Sequence, residues 1–157
     1  MPIDDARFRL AMSHFASGVT VVTTELDGKP FGMTVASFAS LSLHPPLVLV
    51  CIESNVRTHD AIAAAGAFGV SILGQHQIDV SNRFASRNDD KFVGAELRRG
   101  ELGVPLIEGA ICTIECRLRE KLAGGDHSIF IGEVVDVQTA EGAPLVYYRS
   151  GYRELAV

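Results

Sequence analysis

The sequence predicts a mainly β fold, a barrel with a few short helices. Three observations support this class. Runs rich in β-branched and apolar residues recur along the chain, as in Val19 to Glu25 and Leu47 to Ile52. The pair Asp27-Gly28 follows the first of these runs and is a strong hairpin signal. Two later runs alternate in polarity on either side of Gly124-Gly125, which is typical of a long hairpin.

The elements can be assigned in chain order. Residues Asp4 to Ala16 carry apolar side chains at helical spacing, and a glycine follows at position 18, where a helix commonly ends. Residues 87–106, rich in charge and glycine, are expected to form a loop with short turns. The other expected strands are Val19 to Glu25, Pro30 to Phe38, Leu47 to Ile52, Phe68 to Leu73, Ala110 to Leu122, Ser128 to Gln138 and Leu145 to Tyr148, and the other expected helices are Val56 to Ala65 and Gln75 to Ser86. Because strands joined by hairpins dominate, a doubly wound parallel sheet is not expected.

Composition predicts one domain over residues 1–157 and no polyanionic partner. The chain has a formal net charge of -5, and its Lys and Arg residues are scattered, so nucleic-acid binding is not expected. No apolar run approaches the roughly 20 residues of a membrane helix, and the first residues do not resemble a secretion signal. We therefore expect no membrane contact and a cytoplasmic location.

Cysteine and histidine spacing does not indicate a metal site. Cys51, Cys112 and Cys116 lack metal-ligand spacing, and on one strand Cys112 and Cys116 would be about 13 Å apart, too far for a disulfide. Buried reduced thiols are expected. The histidines at positions 14, 44, 59 and 76 are expected to be simply exposed, and no metal is predicted.

Two segments have the composition of a ligand site. From Gly32 onward, small and hydroxyl side chains precede the apolar strand at Leu47, which would let backbone amides approach a flat ligand. The second segment, Ser54 to Thr58, precedes the second predicted helix and places Arg57 in its first turn, where acids are preferred. A bound anion would explain this arginine. A serine or asparagine cap with a solvated arginine would explain it equally well.

The chain resembles the short-chain flavin reductases from about Phe8 to Tyr152. The resemblance rests on Phe-Ala-Ser-Gly-Val-Thr-Val-Val at Phe15 to Val22, on the segment that begins at Gly32, and on Gly124-Gly125-Asp126-His127. These proteins are the reductase components of two-component flavin monooxygenases, such as 4-hydroxyphenylacetate 3-monooxygenase. The resemblance implies an FMN-binding split barrel with Greek-key-like topology, FMN or FAD as flavin, NADH or NADPH as hydride donor, a homodimer and a partner monooxygenase.

The resemblance also implies roles for individual residues. His127 would lie beside the nicotinamide as the catalytic residue, with Tyr152 near the same pocket. Arg83 and Phe84 would add contacts to the flavin, although Phe84 in the core and Arg83 in water is an equally good interpretation. The remaining expected contacts are Thr34, Val35, Ala36, Ser37 and Ser40 along the isoalloxazine ring, and Ser54, Asn55, Arg57 and Thr58 around the phosphate.

The leading hypothesis is an NAD(P)H:flavin oxidoreductase that releases reduced flavin to a partner oxygenase. Because the cofactors carry the difficult chemistry, such an enzyme needs no carboxylate pair or catalytic triad. Two alternatives remain open from the residues. The protein could hold FMN tightly and reduce another acceptor, such as a corrinoid, or it could be a non-catalytic flavin-binding electron carrier.

Overall fold

The computed structural model describes residues 2–156, which form three short helices and twelve strands. The helices are α1 (Asp5–Met12), α2 (Arg57–Ala65) and α3 (Ile78–Ala85). The strands are β1 (Ser17–Gly18), β2 (Thr20–Leu26), β3 (Lys29–Val35), β4 (Phe38–Ser42), β5 (Leu47–Glu53), β6 (Ala67–Ile72), β7 (Leu97–Arg99), β8 (Pro105–Ile107), β9 (Cys112–Gly124), β10 (His127–Thr139), β11 (Val146–Tyr148) and β12 (Gly151–Arg153).

Seven strands form one antiparallel sheet in the order β3-β2-β6-β9-β10-β5-β4. The sheet curls, so that β3 at one edge comes into contact with β5 near the other edge. This architecture confirms the predicted mainly β class. It also leaves an opening where the two edges approach each other, and a cleft lies there.

Turn chemistry explains two of the hairpins. Asp27 and Gly28 connect β2 to β3 and both have positive φ, at 52° and 78°, as a two-residue type I′ turn requires. Gly125, with φ 67°, lies in the turn between β9 and β10. Each connection agrees with the hairpin predicted at that position. The second places His127 at the first position of β10, opposite Glu53 of β5.

The main core lies on the inner face of the curled sheet. Its fully buried side chains include Val50, Ile52, Phe68 and Phe130. A second cluster around Leu73, Phe84 and Leu145 fills the space between the sheet and α3. Strand β2 separates the two clusters and is buried from Thr20 to Thr24, with both faces covered. Its three threonine hydroxyls are satisfied by backbone carbonyls, which is what a buried hydroxyl requires.

Helix α2 matches its prediction closely, whereas α1 does not. Helix α2 ends before Gly66, which has φ 72° and the left-handed conformation of a glycine cap. Helix α1 ends at Met12 rather than Ala16, and none of its side chains is buried. Phe8, Met12 and Phe15 are 54%, 55% and 80% exposed, so their helical spacing does not form a core-facing stripe in this chain. None of the described helices combines the length and hydrophobicity that a bilayer crossing demands.

Several short strands were not predicted. Strands β7 and β8 pair within residues 87–106, which were expected to be loop, and β1, β4 and β12 were also missed. These strands contain two to five residues each, too few to show alternation in the sequence. Strand β4 is also largely exposed, so it lacks the apolar pattern of a buried strand.

Candidate active site

A cleft of about 720 Å³ opens where β3 approaches β5. Its walls come from four separate parts of the chain, namely residues 29–37, residues 51–58, the segment after α3, and His127. A cleft of this size is in the range of small-molecule and cofactor sites. Nine of the thirteen predicted site residues line it: Thr34, Val35, Ala36, Ser37, Asn55, Arg57, Thr58, Phe84 and His127.

The chain between β3 and β4 presents free backbone donors to the cleft. Among the described residues, the amides of Ala36 and Ser37 make no hydrogen bond to the protein. The nearby hydroxyls are already used as donors. Thr34 Oγ1 donates to the carbonyl of Ser81 at 2.7 Å, and Ser37 Oγ donates to that of Cys51 at 2.9 Å. A ligand there would therefore receive hydrogen bonds from the backbone, and these hydroxyls could still accept hydrogen bonds from it.

The start of α2 forms a second set of donors. Val56 is the N-cap residue and its side chain cannot accept a hydrogen bond, so the first turn has no side-chain cap. The alternative of a serine or asparagine cap is therefore not realised. Arg57 Nη1 instead lies 2.8 Å from Oδ1 of Asp89, a residue of the segment after α3. Uncapped amides beside an arginine form an arrangement that binds anions.

The charge of the cleft differs from that of the whole chain. Four cationic side chains and two acidic ones line it, whereas the chain carries -5 overall. The cations are Lys29, Arg57, Arg87 and Lys91, and the acids are Glu53 and Asp89. Partial burial lowers the pKa of Lys91, and the negative charge of Asp89 partly offsets this lowering. The lining favours anionic ligands.

His127 lies at the rim of the cleft, held by the hairpin turn beside it. Its ring nitrogen Nδ1 is 2.7 Å from Oδ1 of Asp126, and its side chain is 38% exposed. The hydrogen bond from His127, followed by the charge of its ring, lowers the pKa of the Asp126 carboxyl, so this group stays ionised near neutral pH. An ionised carboxylate only accepts hydrogen bonds, so Nδ1 carries the proton and Nε2 is the ring nitrogen available to a ligand.

Phe84 and its neighbours form the base of the cleft below β3. Phe84 is 1% exposed and meets Phe92 edge to face at 5.0 Å, so it belongs to the core and to the cleft wall together. A side chain on Gly32 would place a Cβ 2.9 Å from Phe92 and 3.3 Å from Phe84. The missing side chain at position 32 thus leaves room for the two rings to pack against β3. Sequence reasoning named neither Gly32 nor Phe92 as a site residue.

Four predicted site residues lie outside this lining. Ser40 is exposed on β4, and the amide of Ser54 bonds the carbonyl of Asp126. Arg83 Nη1 donates to the carbonyl of Val93 at 2.8 Å, and both residues line a neighbouring depression. Tyr152 Oη bonds the side chains of Ser81 and Asn82 at 2.7 and 3.0 Å. Tyr152 thus tethers α3 in this structure.

The prediction that His59 is exposed was wrong. Its side chain is only 7% exposed, because residue 59 falls on the face of α2 that packs on the sheet. Nε2 lies 2.8 Å from Ser128 Oγ, Nδ1 lies 2.9 Å from Asp60 Oδ1, and the ring meets Phe130 edge to face. The sequence feature that could have predicted its burial is its position three residues before the buried Ile62, because residues i and i+3 lie on the same helix face.

The cysteines are all free, but only Cys116 is fully buried. Cys112 and Cys116 share β9 as expected, and Cys51 is half-buried and lines the cleft. Within residues 2–156, no three His, Cys, Asp or Glu side chains are grouped in a way that could hold a metal ion.

Comparison with known proteins identifies the family. The chain matches the flavin reductase like domain from residue 12 to residue 156. It is 42% identical over 151 residues, 96% of this chain and 81% of the relative, to the reductase component of 4-nitrophenol 4-monooxygenase/4-nitrocatechol 2-monooxygenase from Rhodococcus opacus. It is also 42% identical over 149 residues, 94% of this chain and 95% of the relative, to the reductase component of 4-hydroxyphenylacetate 3-monooxygenase from Thermus thermophilus.

A solved structure gives the same result. The Streptomyces globisporus C-1027 NADH:FAD oxidoreductase SgcE6, in complex with NAD and FAD fragments, matches with a TM-score of 0.94 and 36% identity over 98% of this chain and 93% of that one. The family predicted from the sequence motifs is thereby confirmed, and the chain belongs to the flavin reductase like domain family.

Proposed function

We propose that this protein is an NAD(P)H-dependent flavin reductase that supplies reduced FMN or FAD to a separate monooxygenase. The observation that carries the proposal is the cleft itself, where free amides at Ala36 and Ser37 and the uncapped start of α2 face one space. A flavin mononucleotide has a flat ring with a polar edge and an anionic phosphate. The two donor sets suit these two ends. The family relatives named above are reductase components of monooxygenases, which supports the same activity.

The protein's contribution would be binding and alignment. In this reaction class the nicotinamide supplies a hydride from C4 and the flavin accepts it at N5. The amides of Ala36 and Ser37 would hold the polar edge of the ring. Arg57, Thr58 and the first amides of α2 would hold the phosphate. Phe84 and Phe92 pack edge to face and give the cleft an apolar wall.

His127 would act on the ligand through Nε2. Because Asp126 holds Nδ1, the ring is oriented with the other nitrogen available, as a positioned hydrogen-bonding group requires. A neutral ring would accept a hydrogen bond from the nicotinamide amide, and a protonated ring would stabilise negative charge that develops on the flavin. Asp126 would be the positioning residue for both roles.

The arginine at position 87 is the candidate for choosing between the two nicotinamides. A 2′-phosphate requires a cation, and Arg87 is an exposed cationic side chain that lines the cleft. Three other arginines lie outside the cleft lining: Arg98 bonds Thr113, Arg99 pairs with Glu25, and Arg149 lies in the turn before β12. Measuring the NADH and NADPH Michaelis constants for Arg87→Ala tests this assignment, and a loss confined to NADPH would support it.

A homodimer and a cytoplasmic location complete the proposal. The exposed apolar side chains of the first segment, Phe8, Met12 and Phe15, provide surface that a second copy of the chain could cover. Light scattering of the purified protein measures the dimer directly. A cytoplasmic location would give the protein access to NAD(P)H and to a partner monooxygenase.

The deciding experiment is anaerobic stopped-flow absorbance with NADH and a several-fold excess of FMN or FAD. Bleaching of many equivalents of flavin per protein is the expected result, because reduced flavin must leave the cleft for each turnover. Bleaching of one bound equivalent would contradict release and favour an enzyme with another acceptor. Absence of bleaching with both NADH and NADPH would contradict a reductase of any kind.

Replacing His127 by alanine tests its assigned role. We expect the NADH Michaelis constant to rise about three- to tenfold, the loss of roughly one hydrogen bond, with FMN affinity unchanged. His76→Ala is the matched control, because that histidine is exposed and does not line the cleft. Unchanged NADH oxidation at limiting NADH would remove His127 from the mechanism.

A further inference from the structure

The segment from Ser86 to Val93, hereafter the cleft loop, connects α3 to the β7 region and borders the cleft. Its second half is anchored. Lys91 Nζ donates to the carbonyls of Gly32 and Phe84, both at 3.2 Å, and the Phe92 ring packs on Phe84. In the first half, the side-chain hydrogen bonds are those of Ser86 to the Arg83 carbonyl and of Asp89 to Arg57 of α2. Asp89 therefore sits on the less restrained part of a loop whose base is fixed.

Asp89 occupies the position where a ligand's anionic group would bind. Its Oδ1 lies 2.8 Å from Nη1 of Arg57, the first residue of α2, whose amides have no side-chain cap. The next residue, Asp90, is also exposed but lines a neighbouring depression and not the cleft. Only the first of these two adjacent carboxylates faces the cationic start of α2. The protein thus supplies its own anion to the site that we assign to the phosphate.

We propose that Asp89 is an internal competitor for the phosphate of the flavin, an inference that rests on the proposed function. On binding, Arg57 would exchange the Asp89 carboxylate for the phosphate, and on release the carboxylate would return. The exchange is favourable because the Arg57 and Asp89 side chains are 70% and 78% exposed, and exposed pairs contribute little. A phosphate at a helix start gains amide hydrogen bonds that the carboxylate does not make here.

The competitor would serve an enzyme whose flavin must leave after each turnover. Phosphate binding would have to break the Arg57–Asp89 ion pair, so the free energy of that pair reduces the net free energy of phosphate binding. Asp89 would therefore weaken the flavin's hold and speed its release, without contacting the ring where hydride is transferred. This makes Asp89 a residue that sets affinity rather than a catalytic one.

The test compares Asp89→Asn with Asp90→Asn, two neighbouring changes that alter net charge equally. The readout is the FMN dissociation constant, measured by quenching of flavin fluorescence at low ionic strength. We expect Asp89→Asn to bind FMN about two- to fivefold more tightly, the range given by an exposed ion pair. Asp90→Asn should match the wild type.

Riboflavin separates exchange at the phosphate from a general change in the cleft. It has the same ring but lacks the phosphate, so Asp89→Asn should leave its dissociation constant unchanged. The proposal is overturned if Asp89→Asn does not tighten FMN binding, if Asp90→Asn tightens it equally, or if riboflavin gains as much as FMN. FMN binding without NADH oxidation would contradict the reductase activity but not the exchange, whereas failure of the wild type to bind FMN would overturn both.

Discussion

His59 joins the start of α2 to the start of β10, and its removal should destabilise the protein measurably. The ring nitrogen Nδ1 bonds the Asp60 carboxylate, so in the neutral ring Nδ1 carries the proton and Nε2 accepts from the Ser128 hydroxyl. The Ser128 contact is buried, whereas the Asp60 side chain is 85% exposed. The ring also meets Phe130 edge to face, with centroids 5.1 Å apart.

The expected loss for His59→Ala is about 1.5–5.5 kcal/mol, the range spanned by three contributions. Losing the buried hydrogen bond and leaving the Ser128 hydroxyl without its partner contributes about 1–3 kcal/mol. Losing the contact with the Phe130 ring contributes about 0.5–1.5 kcal/mol. The bond to Asp60 lies in solvent and adds less than about 1 kcal/mol.

Urea denaturation followed by far-ultraviolet circular dichroism measures this loss as a shift in midpoint at constant m value. Asp60→Asn is the control, expected within about 0.5 kcal/mol of the wild type. A double-mutant cycle with Ser128→Ala should give a coupling of about 1 kcal/mol. A loss below about 1 kcal/mol for His59→Ala, or no coupling to Ser128, would refute the reasoning.

Three further predictions concern the cleft and the core. Burial, with a smaller contribution from a neighbouring carboxylate, raises the pKa of Cys116 to about 12. The unfolded chain therefore loses this proton first, and the stability advantage of the wild type over Cys116→Ala should shrink by up to about 1.4 kcal/mol per pH unit as pH rises from roughly 9 to 12, measured by urea midpoints. Gly32→Ala should lower the free energy of unfolding by about 1–3 kcal/mol and weaken FMN binding, because the added Cβ displaces Phe92. Gly18→Ala, which has open space around it, should leave both stability and FMN binding unchanged. Equal effects of the two substitutions would contradict the packing of Phe92 on Gly32. Cys51, which lines the cleft, should be alkylated more slowly when FMN is bound, as mass spectrometry can follow, and no protection would place the ligand elsewhere.

Much of the sheet could be predicted because its long elements have strong local signals. Strand β5 is a continuous apolar run, and the Asp27-Gly28 turn fixes the register of β2 on β3. The β9–β10 hairpin is thirteen residues long on each side, so its alternation is visible in the sequence. Strand β4 escaped prediction because it is short and exposed at the edge of the sheet.

The candidate site could be predicted where it depends on local sequence and could not where it depends on tertiary contacts. Arg57 was recognisable because a cation in a first helical turn conflicts with the helix dipole. Its partner Asp89 was not recognisable, since thirty-two positions separate the two residues and only folding of the cleft loop brings them together. Thr34 was assigned to the ring, but its hydroxyl proton is used to hold α3 against β3, a contact that leaves no trace in sequence.

The order in which the cleft walls occur along the chain has a consequence for the lifetime of the protein. The walls come from β3, the start of α2, the cleft loop and His127, and β10 must insert between β9 and β5 before His127 reaches its place. No fragment lacking the β9–β10 hairpin contains the complete cleft, so flavin should bind the native chain and not partly folded forms. At a free flavin concentration ten times the dissociation constant, binding adds about 1.4 kcal/mol to stability. Starving a cell of flavin would then shorten the survival of this chain against proteolysis, so that the abundance of the protein follows the supply of its own substrate.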